Sequence, residues 1–434
     1  MYTIDWGIFF LIILCNCLLF VITYFKIPNG IRRIYYFFTI LPTVIYSGIG
    51  LSYKEINNNF LIKYLLYSSV LMITMFISFK SKGKSKFEFN LDQKPTQINM
   101  DSSIYLISKI GAIIFLVTYI IFLIIPEIRL YQIIKPPSPT VINIYERMQF
   151  NKKNTILDLA QLIRTFCIPL FMIFLYYQFK NGKKIKVILL ILSWIYLAYL
   201  SVEYIGRYEM VIYVMFVFYV ITMSKKLNIK AKFKQYAILA TLFTLFMPLL
   251  LTYQYFRVGK NPININFIDA AKELLFYETD FPKYYHLIPN MIGQMTPLNY
   301  LLFFILLPIP SAIFKSKAII IMSANKIFTT NILGLEWGQA GYSGLLPTIF
   351  GESILIFGVN FYLLHAILLG LLITSLCKLL EKKDNLVFCN IYFAVSAISI
   401  ARGGSQGYFG LAINSLFAFF IFSYLIKLYK NKIS

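Results

Sequence analysis

Long apolar runs of about twenty residues recur along the chain, separated by short polar segments, and runs of that length read as membrane-spanning helices. They lie near 6–25, 34–52, 60–79, 104–125, 156–179, 187–203, 208–223, 236–255, 351–377, 386–401 and 408–427. A further run, 298–314, is interrupted by Pro308 and Pro310. The pattern predicts an all-α integral membrane protein of about 11–12 transmembrane helices, with a re-entrant or interfacial segment near 298–322. It reads as one polytopic domain, 1–434, whose region 256–350 forms an outer-face loop with interfacial helices. The first run lacks a basic flank and a small-residue cleavage site, so it is expected to be a retained span.

Composition agrees. Of 434 residues, 59% are hydrophobic and only 14% charged, where soluble domains carry about a quarter charged residues. The formal net charge of +23 does not point to nucleic acid, because the lysines cluster in short loops between apolar runs. The five cysteines fall inside apolar runs, with no metal-ligand spacing and no sign of a disulfide framework.

Charge orients the spans. Basic loops occur at Lys26-Arg32-Arg33, at Lys80 to Lys94, at Lys180 to Lys186, at Lys225 to Lys234, at Lys378-Lys382-Lys383 and in the tail from Lys427. All are cytoplasmic if the N-terminus is outside, the C-terminus inside, and 298–314 does not fully cross. Six of the eight arginines (Arg129, Arg147, Arg164, Arg207, Arg257 and Arg402) then lie outside or near the outer leaflet. The chain spells its bulk positive charge with lysine, so outward arginines call for another reason. A guanidinium offers a planar fork that binds phosphate or carboxylate through two hydrogen bonds. The alternative is pairing with nearby outward acids.

Four stretches carry the candidate chemistry. In 199–214, Arg207 stands between Glu203 and Glu209 at the tip of a short hairpin, either self-neutralised or functional. In 253–262, Arg257 and Lys260 sit where a lipid headgroup would lie, and the loop behind them carries His286. In 346–361, Glu352 opens a span, placed there by the helix dipole or serving as a general base. In 399–410, "SIARGGSQGYFG", Arg402 sits in a glycine-rich turn between the last two spans, with Gly403, Gly404, Ser405, Gln406 and Tyr408 around it. His365 lies in mid-span and reads as structural. No P-loop, GxGxxG or CxxC pattern is present.

The order of three features resembles the O-antigen (oligosaccharide repeat-unit) polymerases of the Wzy type, which are similar to GT-C glycosyltransferases. These features are Gly206-Arg207, "LLPIPSAIF" (306–314) followed by G-E-x-x-x-x-F-G (351–358), and the arginine turn before the final span. Ser311 stands where many relatives carry a basic residue, and Glu273 and Ala418 where a glycine is common. The resemblance implies a polymerase of undecaprenyl-diphosphate-linked repeat units, building a lipopolysaccharide or capsule glycan on the outer side of the bacterial inner membrane. Arg207, Arg257 and Arg402 would hold the lipid diphosphate. Glu352 would orient or deprotonate the acceptor hydroxyl. Lys260, His286, Gly403, Gly404, Gln406 and Tyr408 would line the substrate. A chain-length regulator and a flippase would be partners.

The chemistry is compatible with this. A diphosphate leaving group held at the interface needs arginine donors at that depth, where a low dielectric strengthens them. No nucleotide enters, so a metal-independent reaction without cofactor is expected. Two other classes compete. A lipid-linked oligosaccharide flippase would carry charges along a central path, usually with internal repeats, and no repeat is visible. A membrane acyltransferase would want a histidine-based site, for which His286 is the candidate.

Overall fold

The computed structural model describes residues 6–28, 30–51, 58–80, 102–124, 155–200, 207–222, 291–309, 323–335 and 345–433. Most of these residues are helical, and no strand occurs among them. The helices are α1 (Trp6–Lys26), α2 (Ile31–Leu51), α3 (Asn58–Lys80), α4 (Ser102–Ile124), α5 (Thr155–Lys180), α6 (Lys184–Leu200), α7 (Arg207–Thr222), α8 (Pro297–Leu306), α9 (Ala324–Leu333), α10 (Thr348–Glu381), α11 (Val387–Ser396) and α12 (Ile398–Ile433). Four of them are long and apolar enough to cross a membrane, or five if the bent pair α11–α12 is taken as one span. The expected span at 236–255 lies outside the described residues.

The apolar interrupted run becomes α8, ten residues long with Thr296 as its cap and Pro297 in the first turn. At 1.5 Å per residue it reaches about 15 Å, half of a bilayer core of about 30 Å. It is therefore too short to cross. The helices on either side of 201–206 have 17 and 16 described residues.

Contacts group the chain into two compact units. One comprises Met1–Glu88, Leu275–Lys382 and Phe393–Asn414; the other comprises Phe89–Leu274, Lys383–Tyr392 and Ser415–Ser434. In the second unit, α4 and α5 approach closely at Gly111, where an added Cβ would lie 2.5 Å from the Leu170 side chain. Trp194 of α6 is fully buried among Phe115, Phe171, Tyr213, Phe216 and Tyr392, and its indole N–H donates to the Tyr119 hydroxyl. Arg164, expected near the outer leaflet, is buried in α5 with its guanidinium 4.3 Å from the Tyr119 ring centroid. That is a cation–π contact. The turn after α5 runs through Gly182 at φ 76°, and Lys183, Lys184 and Lys186 around it are exposed.

In the first unit, α1, α2, α3 and α10 pack as a bundle. Gly370 of α10 lets α3 approach to Thr74 and Met75. One charged contact ties this bundle together. Arg32 of α2 makes a forked pair with Glu381 at the end of α10, the shortest bond being 2.8 Å, and also donates to the Phe79 carbonyl of α3 at 3.0 Å. Both side chains are about nine-tenths buried. Removing one partner of such a pair strands the other charge, which costs about 3–5 kcal/mol. Arg32→Ala is expected to lower the thermal midpoint of the detergent-purified protein sharply. The Arg32→Leu/Glu381→Leu pair is expected to recover much of that loss.

Candidate functional site

The stretch 399–410 is not the open turn that its glycines suggest. Helix α12 begins at Ile398 and runs through it, and only Gly404 leaves helical geometry, at φ 77° and ψ 176°. Helix α10 is broken in the same way at Gly358, at φ 73° and ψ 173°. This backbone region is essentially closed to residues with a Cβ. The other glycines of the stretch stay helical because an apolar surround leaves backbone groups no partner but each other.

The break in α12 exposes the N–H groups that open its second half, and Glu352 of α10 takes them. The Ser405 N–H donates to Oε2 at 2.6 Å and the Ser405 hydroxyl to Oε1 at 3.0 Å. The Gln406 N–H adds a further contribution. Glu352 is 1% exposed. It was expected at the start of its own helix, either held there by that helix's dipole or serving as a general base. Because α10 starts at Thr348, Glu352 lies one turn further in, and it meets the positive end of a different half-helix. Thr348 itself has φ 62°, a strained value for a β-branched residue.

Gly404 is required twice over, by its φ and by its neighbour. A Cβ there would lie 2.7 Å from Glu352 Oε2. Around this contact three short elements hold the rest of the stretch. Tyr300 of α8 bonds the Ser405 hydroxyl at 2.6 Å. Because the single serine proton points to Glu352, Tyr300 is the donor. The Asn325 amide of α9 donates to the Gly403 carbonyl at 2.9 Å. Gln406 Oε1 accepts from the Ala324 N–H at 2.8 Å, so it caps α9. Tyr408 is buried and its hydroxyl donates to the Phe393 carbonyl at 3.1 Å.

The residues expected from sequence therefore divide. Glu352, Arg402, Gly403, Gly404 and Gln406 come to one place, with Arg402 half-buried two positions before the break. Gln406 and Tyr408 are buried, and the Gln406 Oε1 and the Tyr408 hydroxyl each bond an internal partner. Arg207 is the first residue of α7, in the other unit. Arg257, Lys260 and His286 lie outside the described residues. His365 was read as structural. It is buried, with Nδ1 2.9 Å from the Tyr67 hydroxyl, among the rings of Tyr67, Tyr300 and Phe357. Tyr300 and Asn325 were not anticipated. Tyr300 is one of 33 tyrosines, and nothing local distinguishes it. Among the described residues no group of three or more His, Cys, Asp or Glu gathers to hold a metal ion.

No family model, no curated protein and no solved structure matches the chain.

The two adjacent glycines offer a contrast. Gly404→Ala forces a Cβ into a glycine-only conformation, at a cost of about 1–3 kcal/mol before any clash with Glu352. Gly403 is helical with open space at its Cβ position, so Gly403→Ala is expected to be neutral or slightly stabilising. Thermal unfolding of the two purified variants, side by side, checks this.

Proposed function

We propose that the chain is a glycosyltransferase that joins undecaprenyl-diphosphate-linked oligosaccharide repeat units into a surface polysaccharide on the outer face of the bacterial inner membrane. The observation that carries this reading is the docking of the arginine–glycine stretch, through Gly404 and Ser405, on the buried Glu352 carboxylate. An arginine meant to hold a leaving diphosphate must be fixed in depth and direction before the substrate arrives. A hydrogen-bonded hub built from α8, α9, α10 and α12 does that for the backbone on which Arg402 sits.

In this reading the acceptor hydroxyl attacks the anomeric carbon of the donor sugar, the bond from that carbon to the diphosphate oxygen breaks, and the hydroxyl proton passes to the departing diphosphate. Arg402 receives the charge that develops on the leaving diphosphate. Glu352 is a positioning residue. Its carboxylate is sealed from solvent and bonded to Ser405, and it acts on the reaction by holding the backbone that carries Arg402. The reaction needs no metal, and a flippase and a chain-length regulator work beside the enzyme.

One observation favours a second reading, transport of a lipid-linked oligosaccharide. Secondary transporters place discontinuous helices around a buried site, and here two broken helices meet at a buried carboxylate. One strain set separates the readings. Deletion, followed by complementation with wild type or Arg402→Lys at matched membrane levels, is read on a gel of the surface glycan. For the polymerase, Arg402→Lys collapses the ladder to single repeat units, with lipid-linked units accumulating on the outer side. A normal ladder removes Arg402 from the mechanism, and accumulation on the cytoplasmic side establishes transport instead.

A further inference from the structure

We propose that Glu352 is a proton-binding site, and that uptake of one proton there loosens the break in α12 at Gly404. The geometry has three parts. First, the carboxylate is buried and, among the described residues, forms no ion pair; its hydrogen-bond partners are the neutral groups of Ser405 and Gln406. A buried carboxylate balanced only by a helix end, whose partial charge is about half an elementary charge, is poised to exchange a proton. Intramembrane carboxylates of this kind commonly mark proton relays.

Second, a hydrogen-bonded line reaches it. Tyr300 donates to Ser405 Oγ, and Ser405 donates to Glu352 Oε1. Tyr300 is itself fully buried, so the proton enters when a local opening admits water to the Tyr300 oxygen; there it displaces the phenolic proton to Ser405, and the serine proton passes to Oε1. Tyr300 and Ser405 end with the protons they began with. Glu352 goes from a charge of −1 to neutral, and nothing is oxidised or reduced. Among the described residues, the titratable groups that interact electrostatically with it are Tyr67 of α3 and Tyr300 of α8. Arg32 of α2 is bound to Glu381 at the far end of α10.

Third, the proton changes what the carboxylate does. The 2.6 Å bond from the Ser405 N–H is charge-assisted, and such bonds are roughly twice as strong as neutral ones. Protonation removes that assistance and the anionic cap on the second half of α12. Gly404, which has no Cβ to resist, is the hinge, and Arg402 is the group that moves with it.

The test uses the full-length protein in lipid nanodiscs. Infrared difference spectra between acidic and alkaline buffer are expected to show the carbonyl band of a protonated carboxylic acid, absent from Glu352→Gln. In parallel, hydrogen–deuterium exchange at 403–407, corrected for intrinsic rates, is expected to be about tenfold faster in acidic buffer. Glu352→Gln is expected to hold the fast rate at every pH. Should Glu352→Gln fail to fold, Tyr300→Phe, which keeps the carboxylate but removes the relay donor, is expected to shift the position and midpoint of the band. An unchanged difference spectrum in either variant, or pH-independent exchange in the wild type, would overturn the proposal.

Discussion

The contact on which this site depends is a carboxylate at the end of somebody else's helix. Breaking a helix in an apolar environment leaves N–H groups without partners, and each orphan is costly where no water can reach. Glu352 answers those of Ser405 and Gln406 at the break in α12. The exchange is mutual, because a buried carboxylate also needs donors. Neither the break nor the buried acid is tenable without the other. The remaining polar contacts follow from this pairing: Tyr300 satisfies the serine oxygen, Asn325 the Gly403 carbonyl, and Gln406 the start of α9.

Much of the architecture was legible in the sequence, for a plain reason. A span is decided by the length and hydropathy of a local run, and both can be read without knowing what packs where. The helices Trp6–Lys26, Asn58–Lys80, Ser102–Ile124 and Thr155–Lys180 fall within a residue or two of the runs that announced them. The ten-residue α8 was legible for the same reason, because Pro308 and Pro310 cut its run. The site was legible only in outline. Glu352 and the stretch around Arg402 stood out because a charge within an apolar run is rare.

What could not be read is how those groups are used. Gly403, Gly404, Gly407 and Gly410 look alike in sequence, and which one breaks the helix depends on a carboxylate 52 positions away arriving at Gly404. The expectation of an open turn failed because glycine permits a bend without demanding one. Only where a partner stood ready for the freed N–H groups did α12 depart from helical geometry. Tyr300 and Asn325 were missed for a related reason. Their roles are fixed by the elements they meet, and no spacing in the sequence encodes that meeting.

The arginines show how far a side-chain argument carries. The chain uses lysine for exposed loops, as around Gly182, so each arginine invites a specific explanation. Arg32 uses its planar fork on Glu381 and a backbone carbonyl, with both charges removed from solvent. Arg164 lays its face on the Tyr119 ring. Both uses depend on guanidinium shape, and neither requires a substrate. Arginine in place of lysine therefore identifies a position where geometry matters, whatever the partner. What sets Arg402 apart is its backbone, two residues before a glycine-only break that an acid from another helix holds in place. Arg32 and Arg164 sit on unbroken stretches of helix, which hold a side chain at a fixed angle. Arg402 instead stands beside a backbone break whose geometry another helix sets, and in the proposed reading that is what distinguishes it from Arg32 and Arg164.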